Sequence, residues 1–415
     1  MILPRSRNSR PLVESDLVSL IPRIAAALVL ACAPRADAQA DSCIACHGKE
    51  ASAELASVHA REQPGCASCH GGDPSQSDKD KSHAGQVAKI PRTAIPALCA
   101  KCHSDVRLMN PYGIPTDQFA QYQTSRHGEK LAGGDTDVAT CADCHGAHGI
   151  RKVKDPESPV FPKNVPATCA RCHAEPDLMS KHGLKSTQAK EYGDSVHAKL
   201  LLEKGDLSAP TCVTCHGNHG ATPPGVRDII HVCGKCHVKE QELFSQTKHF
   251  ALTEQGSFQS CVTCHRNHLI RTKQEDIRRT CTKCHADETD PARVRFTSIF
   301  ATIRGAEERL HGAEDRVRRL AGAGFHVDEE EVLLAEAKTG VLQLAPAQHA
   351  LDEFRVRGLA DEAGETISEI HRRLDGKERT EAWKKKALVP IWVFLLGMAA
   401  LFWRKLIRIR KEEAP

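Results

Sequence analysis

Aromatic side chains make up only 4% of this 415-residue chain, and methionine occurs four times. A large single apolar core leans on such residues, so an ordinary one-core enzyme is excluded. The 40% hydrophobic and 27% charged content equally excludes a disordered polymer. No excess of one charge exists either, because 57 basic and 53 acidic residues leave a net charge of +4. Nucleic-acid binding wants a one-sided basic surface, so that class of partner is set aside. Long apolar runs are confined to the two ends. Cysteine is absent after Cys284 and, Cys32 apart, absent outside one pattern that recurs nine times.

The ends set the compartment. Residues 1–40 combine a basic start (Arg5, Arg7, Arg10, Arg23), an apolar run from Ile24 to Ala33, and Ala38-Gln39-Ala40 before Asp41. They read as a secretory signal cut after Ala40, since the apolar run falls well short of the about 20 residues a membrane span needs. Acylation at Cys32 fits poorly because Leu30 does not suit that pattern. Near the other end, Ala387 to Trp403 is 17 residues without charge, bracketed by Lys384, Lys385, Lys386 and by Arg404 and Lys405. This stretch predicts a transmembrane helix over 387–403, with Trp392 and Trp403 at its interfaces. Basic residues balance across it, so the signal decides the orientation. The body is expected on the periplasmic face of a bacterial inner membrane, with only the basic tail 404–415 in the cytoplasm.

Every cysteine pair reads Cys-x-x-Cys-His. The pairs are Cys43/Cys46, Cys66/Cys69, Cys99/Cys102, Cys141/Cys144, Cys169/Cys172, Cys212/Cys215, Cys233/Cys236, Cys261/Cys264 and Cys281/Cys284. The histidines that follow are His47, His70, His103, His145, His173, His216, His237, His265 and His285. This is the spacing of c-type haem attachment, in which two thiols bond the porphyrin edge and the adjacent histidine reaches the iron. A disulfide scaffold needs neither the fixed gap nor the histidine, and a zinc ribbon would not need that histidine nine times. Nine covalently bound haem c groups are therefore expected. Cys43 to His285 is 243 residues, 27 per motif, too little protein to bury a core of its own. The haems must form the core, packed closely enough to pass electrons.

The region also repeats. Residues 99–150 carry Cys-Ala-Lys-Cys-His, Leu108-Met109, Ser125-Arg126-His127 and Cys-Ala-Asp-Cys-His-Gly-Ala-His-Gly. Residues 169–221 echo them with Cys-Ala-Arg-Cys-His, Leu178-Met179, Ser195-Val196-His197 and Cys-Val-Thr-Cys-His-Gly-Asn-His-Gly. A shortened copy runs from Cys233 through His249 to His268. His127, His197 and His249 thus share one slot, and His148, His219 and His268 share another, three residues after a motif histidine. His59 and His83 read as the same device in the first segment. These eight are candidates for the sixth iron ligand. Met109 and Met179 read as packing, so bis-histidine ligation and low potentials are expected. For the ninth haem the candidates are His182, His231 and His311, and a five-coordinate iron is the alternative.

Beyond Pro291 the composition turns to Glu, Arg and Ala. Phe296, Ile299, Ile303, Ala306, Leu310, Ala313, Val317 and Leu320 alternate gaps of three and four, the seam of a long packed helix ending at Ala321-Gly322-Ala323-Gly324. A second stretch spans about Asp328 to Arg357 with a break near Pro346. A third places Ala363, Ile367, Ile370 and Leu374 on one face and leads toward the span. The expectation is a helical hairpin or three-helix stalk over 291–386, following a haem domain over 41–290, in a fold otherwise mostly α and irregular. His311 is the stalk residue most suited to a direct role.

With these motifs in hand, residues 41–290 resemble the bacterial multihaem c-type cytochromes. They are most similar to the branch related to the tetrahaem cytochromes of nitrifiers, cytochrome c nitrite reductase and hydroxylamine oxidoreductase. The resemblance implies an electron carrier, accepting electrons from a quinol-oxidising or b-type membrane partner and delivering them to periplasmic or outer-membrane acceptors. It also admits an oxidoreductase acting on nitrite or hydroxylamine. Nitrite reductases of that group commonly carry Cys-x-x-Cys-Lys, which this chain lacks. The hydroxylamine enzymes add a tyrosine crosslink, and Tyr112, Tyr122 and Tyr192 all lie inside the haem region rather than in the later helices. The carrier is the favoured expectation, with no catalytic residues assigned.

Overall fold

The computed structural model describes residues 42–62, 64–225 and 228–412. The expected signal over 1–40 and the last three residues of the basic tail lie outside these. Among the described residues every regular element is helical and none is a strand, so the mostly α and irregular class is the one observed. The chain divides into two compact units. The first comprises the described residues up to Ala120 together with His127–Phe161, and the second Gln121–Arg126 with the chain from Pro162 onward.

Where the motifs lie, helices are short because the sequence keeps restarting them. Cys66–His70, Cys141–His145, Cys212–His216 and Cys261–His265 are each one five-residue helix. Ile95–His103 and Val165–His173 are nine-residue helices that end in a motif, with proline in the first turn where its missing N–H costs nothing. In one helical turn, residues three and four apart share a face. A Cys-x-x-Cys-His helix therefore presents both thiols and the imidazole to one side. Glycine stops three of these helices in the left-handed region, Gly71 at φ 70°, Gly146 at 87° and Gly217 at 83°. A Cβ on Gly71 would stand 2.7 Å from the Gly85 carbonyl oxygen.

The C-terminal part is a different kind of structure. Helix α1 (Pro291–Gly322), α2 (Asp328–Leu342), the short α3 (Leu344–Ala347) and α4 (Glu353–Glu412) follow one another. The first 26 residues of α4 pack with α1 and α2 as a three-helix bundle. Ser298 on α1 donates to Glu353 at 2.7 Å, and Arg316 on the same helix reaches Glu378 at 2.6 Å, so α1 and α4 run parallel. All eight seam residues expected on α1 are buried, as are Ala363, Ile367, Ile370 and Leu374 on α4. The second stretch parts at Gln343, between α2 and α3 and three residues before the break expected at Pro346, and it breaks again at Leu351, whose φ is 52°. Arg357 accordingly belongs to α4.

Beyond the bundle α4 continues alone through the apolar stretch. By length and composition it is a helix able to cross a membrane, and its apolar side chains from Leu388 to Trp403 are exposed.

Candidate haem centres

Among the described residues only eleven apolar side chains are buried between 42 and 290, against twenty between 291 and 374. The polypeptide around the cysteine motifs does not build an apolar core from its own side chains. What it organises instead are pairs of histidines.

Three local devices aim the rings. First, a threonine before the fourth and the sixth motif opens a capping box. The Asp143 carboxylate accepts from the Thr140 backbone N–H at 2.6 Å and from its hydroxyl at 2.7 Å, and Arg92 grips the same carboxylate at 2.8 and 3.2 Å. Burial would raise the Asp143 pKa, but the Arg92 and Thr140 hydrogen bonds outweigh it and hold the carboxyl low. Thr214 plays the same part for Thr211 at 3.0 Å. Second, the serine or threonine two residues before a slot histidine is an N-cap. Ser57 accepts from His59 N–H at 3.1 Å, Ser195 from Ala198 at 3.2 Å and Thr247 from Phe250 at 3.3 Å. Third, the residue between that serine and the histidine is tied to the other kind of slot. Val58 N–H donates to Ile150, Arg126 to Ala221 and Val196 to Ile270, each acceptor two residues beyond His148, His219 or His268. The repeat in sequence is thus a repeat in backbone hydrogen bonding.

The outcome is a set of facing imidazoles. In the first unit His47 and His83 have ring centres 6.2 Å apart, His59 and His103 6.1 Å, and His70 and His148 6.1 Å. In the second unit the separations are 6.3 Å for His197 and His237, 5.9 Å for His216 and His268, and 6.2 Å for His249 and His285. A seventh pair, His265 and His349, stands at 6.0 Å. A metal-bound imidazole nitrogen lies about 2.0 Å from its ion and about 1.1 Å from its ring centre, so two rings on opposite sides of one iron have centres about 6 Å apart. All seven separations fit that span. A plain ring stack in the same region, His249 on Phe258, is tighter at 5.0 Å.

The tautomers agree with metal binding. Nδ1 of His70 faces the Val87 carbonyl at 3.0 Å, His83 that of Lys79 at 2.6 Å, and His265 that of Arg271 at 2.8 Å. His285 Nδ1 meets the Asp290 carboxylate at 2.7 Å. An imidazole that donates from Nδ1 keeps its lone pair on Nε2, the atom a metal would take. Burial also pushes His173, His197, His216, His249, His268 and His349 below the usual histidine value, which keeps them neutral and able to ligate.

The thiols supply the order. Cys99 and Cys141 are hydrogen-bonded to each other, as are Cys169 with Cys212 and Cys233 with Cys261, always the first cysteines of consecutive motifs. Cys69 lies within electrostatic range of Cys99 and Cys102, Cys215 of Cys236, and Cys264 of Cys281 and Cys284. Burial, then these neighbours, pushes the Cys264 thiol up to about 12. In the first unit the second to fourth motifs, and in the second unit the fifth to ninth, are thus spatial neighbours in chain order.

The second cysteines Cys46, Cys144 and Cys172, expected to hold haem, are placed as follows. Cys46 departs from the motif helices. It lies exposed just past the 3-10 turn Ser42–Ala45 rather than within a motif helix, because that turn ends before it and the next helix, Gly48–Leu55, begins after His47. The His47 N–H still donates to the Cys43 carbonyl at 2.9 Å, so one turn of helical spacing between the two cysteines and the histidine is kept. Cys144 and Cys172 are half-buried inside the helices Cys141–His145 and Val165–His173. Their motifs are ordered instead through the first cysteines, Cys141 with Cys99 and Cys169 with Cys212.

The remaining expected residues are placed as follows. His127 lies in the helix Arg126–Ala132, and His219 follows Gly217 beyond the helix Cys212–His216. Met109 and Met179 are buried. The histidine opposite His265 is none of the three expected for the ninth site. His311 pairs with Glu314 at 3.3 Å with its side chain 83% exposed. His231 is met at Nδ1 by the Gln241 amide at 3.2 Å, and His182 closes the helix Pro176–Lys181. The ring that faces His265 is that of His349. It belongs to the helical part, which reads in the sequence as a stalk.

Comparison with known proteins agrees with this chemistry. The family model described as cytochrome c554 and c-prime matches residues 232–306, which hold the last three motifs and the start of α1. A high-molecular-weight cytochrome c of Nitratidesulfovibrio vulgaris is 24% identical over 214 residues, covering 48% of this chain. The match spans only 34% of that relative. No solved structure gives a significant match. Motifs, helical fold and these likenesses together define a multihaem c-type cytochrome.

Proposed function

We infer that the protein is a nonahaem electron relay anchored at the periplasmic face of the inner membrane. The observation that carries this reading is the recurrence of imidazole pairs 5.9 to 6.3 Å apart at motifs that neighbour one another in chain order. Haem iron, when bound, cycles between ferric and ferrous states and so carries single electrons. The chain's own residues do the rest. The eighteen motif cysteines hold the nine porphyrins. The nine motif histidines and the second set, His59, His83, His127, His148, His197, His219, His249 and His268, would hold the irons and would keep the potentials low relative to His/Met sites. Backbone carbonyls at Nδ1 orient His70, His83 and His265, and the Asp290 carboxylate orients His285.

The helical part supports a stalk. From Glu353 to Ala387 is 35 residues of unbroken helix, about 50 Å at 1.5 Å per residue. The haems nearest the bundle are thereby held well away from the bilayer, where redox proteins meet them. A quinol-oxidising or b-type partner must itself project to that height, and periplasmic or outer-membrane acceptors take the electrons onward.

The test uses purified full-length protein. Haem content is measured, reduction by a low-potential viologen is followed by stopped flow, and nitrite and hydroxylamine are offered as substrates. Nine haems per chain, complete rapid reduction and no turnover are expected. Steady turnover of either nitrogen compound would replace the relay with the oxidoreductase.

A further inference from the structure

A stalk would be inert toward the haems, yet the helical bundle delivers a histidine to the motif at Cys261/Cys264-His265. Resting on the relay reading above, we propose that His349 is the sixth ligand of the iron held by His265, so that the bundle itself completes one haem site.

Four observations carry this. The ring centres of His265 and His349 are 6.0 Å apart with 23° between their planes, in the middle of the narrow band set by the other six pairs. Both rings expose the same atom. His265 donates from Nδ1 to the Arg271 carbonyl at 2.8 Å, and His349 from Nδ1 to the carbonyls of Ala345 and Pro346 at 3.0 and 3.2 Å. Each is left with a lone pair on Nε2, the arrangement a shared iron requires.

The backbone is bent to deliver the ring. His349 lies in the single 3-10 turn Gln348–Ala350, which ends on Leu351 at φ 52° and ψ 29°. A branched leucine in the left-handed region is costly, and such strain persists where the surroundings demand it. The packing also fixes the junction. The helix Val238–Phe244 of the haem region lies against both α3 and the turn, with Leu243, Leu344 and Ala347 buried there. Cys281 and Ile277 pack on the bundle's apolar core nearby.

The consequence is a covalent and coordinate tie between haem wire and membrane stalk. His349 stands four residues before α4 begins, so the turn that feeds the element leading toward the membrane also ligates an iron. Movement of the bundle would be felt as a change of axial ligation at that one site.

The experiment compares wild type with His349→Ala in the full-length, haem-loaded protein. Haem content, low-temperature EPR of the oxidised form and carbon monoxide binding by the reduced form are measured. The wild type is expected to be wholly low-spin and inert to carbon monoxide. In His349→Ala one haem's worth of signal becomes high-spin, one carbon monoxide binds per chain, and added imidazole restores the low-spin signal. His349→Met supplies a ligand that keeps the site closed, and one component of its redox titration shifts upward while the haem count holds. His311→Ala and His231→Ala should match the wild type in every readout. A His349→Ala protein with its haems in place, entirely low-spin and blind to carbon monoxide, would overturn the proposal while leaving the relay standing. Wild-type protein without covalent haem would instead sink the relay itself.

Discussion

Two residues beside motif histidines depart from the repeat. After the motif histidine, Gly71, Gly146 and Gly217 take positive φ, but at the same step the eighth motif has Arg266, at φ 64° and ψ 175°. That region is almost closed to side chains. Arg266→Gly should therefore stabilise the haem-loaded protein by about 1 kcal/mol, seen as a higher melting temperature with an unchanged visible spectrum. A lower melting temperature would mean the guanidinium makes contacts worth more than the strain. The ninth motif differs in its hydrogen bonding. His285 Nδ1 faces the Asp290 carboxylate, where His70, His83 and His265 face carbonyls. A carboxylate makes the ring a stronger donor and favours the ferric state. Asp290→Asn keeps an oxygen to cap Ala292 and removes the charge. One component of the redox titration should move up by as much as about 60 mV, a tenfold change for one electron, and no movement would remove Asp290 from the set of tuning residues.

At the scale of elements, the bundle is held by its seam and by one buried ion pair. Glu330 is fully buried, and Lys377 reaches its carboxylate at 2.6 Å and the His326 carbonyl at 2.7 Å. Removing one partner of such a pair leaves a bare buried charge, so Lys377→Met should cost about 3–5 kcal/mol. Glu330→Gln in the same chain should recover most of that, as read by circular dichroism on heating. The seam itself was legible in the sequence, because gaps of three and four permit only one face of a helix, and Phe296 through Leu320 are buried as that pattern requires. The distal slots were legible as positions for a second reason: Ser57, Ser195 and Thr247 repeat a capping signal that starts a short helix at the histidine. The break at Leu351 was not legible, since leucine carries no turn signal and Pro346 does. His349 was hidden for the same cause. It lies 84 residues after His265, outside every copy of the repeat, and only the strained turn brings the two rings together.

At the scale of the molecule, the thiol contacts follow chain order from the second motif to the fourth in one unit and from the fifth to the ninth in the other, and the last motif packs on the helical bundle. On the relay reading, electrons entering beside the bundle would meet the His265 and His285 sites first. The proposed anchor can be removed without touching the rest. The bundle's buried residues end at Leu374, and its last internal tie is Arg316 to Glu378. A chain stopped after Lys386 therefore keeps every contact that holds the bundle and loses only exposed apolar helix. It should be recovered from the periplasm without detergent, with the haem content and low-spin spectrum of the full-length protein, while the full-length chain stays in the membrane fraction. If the shortened chain also stays in the membrane fraction, the stretch from Ala387 to Trp403 is not the anchor and the about 50 Å spacing along α4 loses its meaning. If it leaves the membrane but accepts electrons from a membrane-bound donor as fast as before, the anchor raises local concentration only and does not align the relay with its partner.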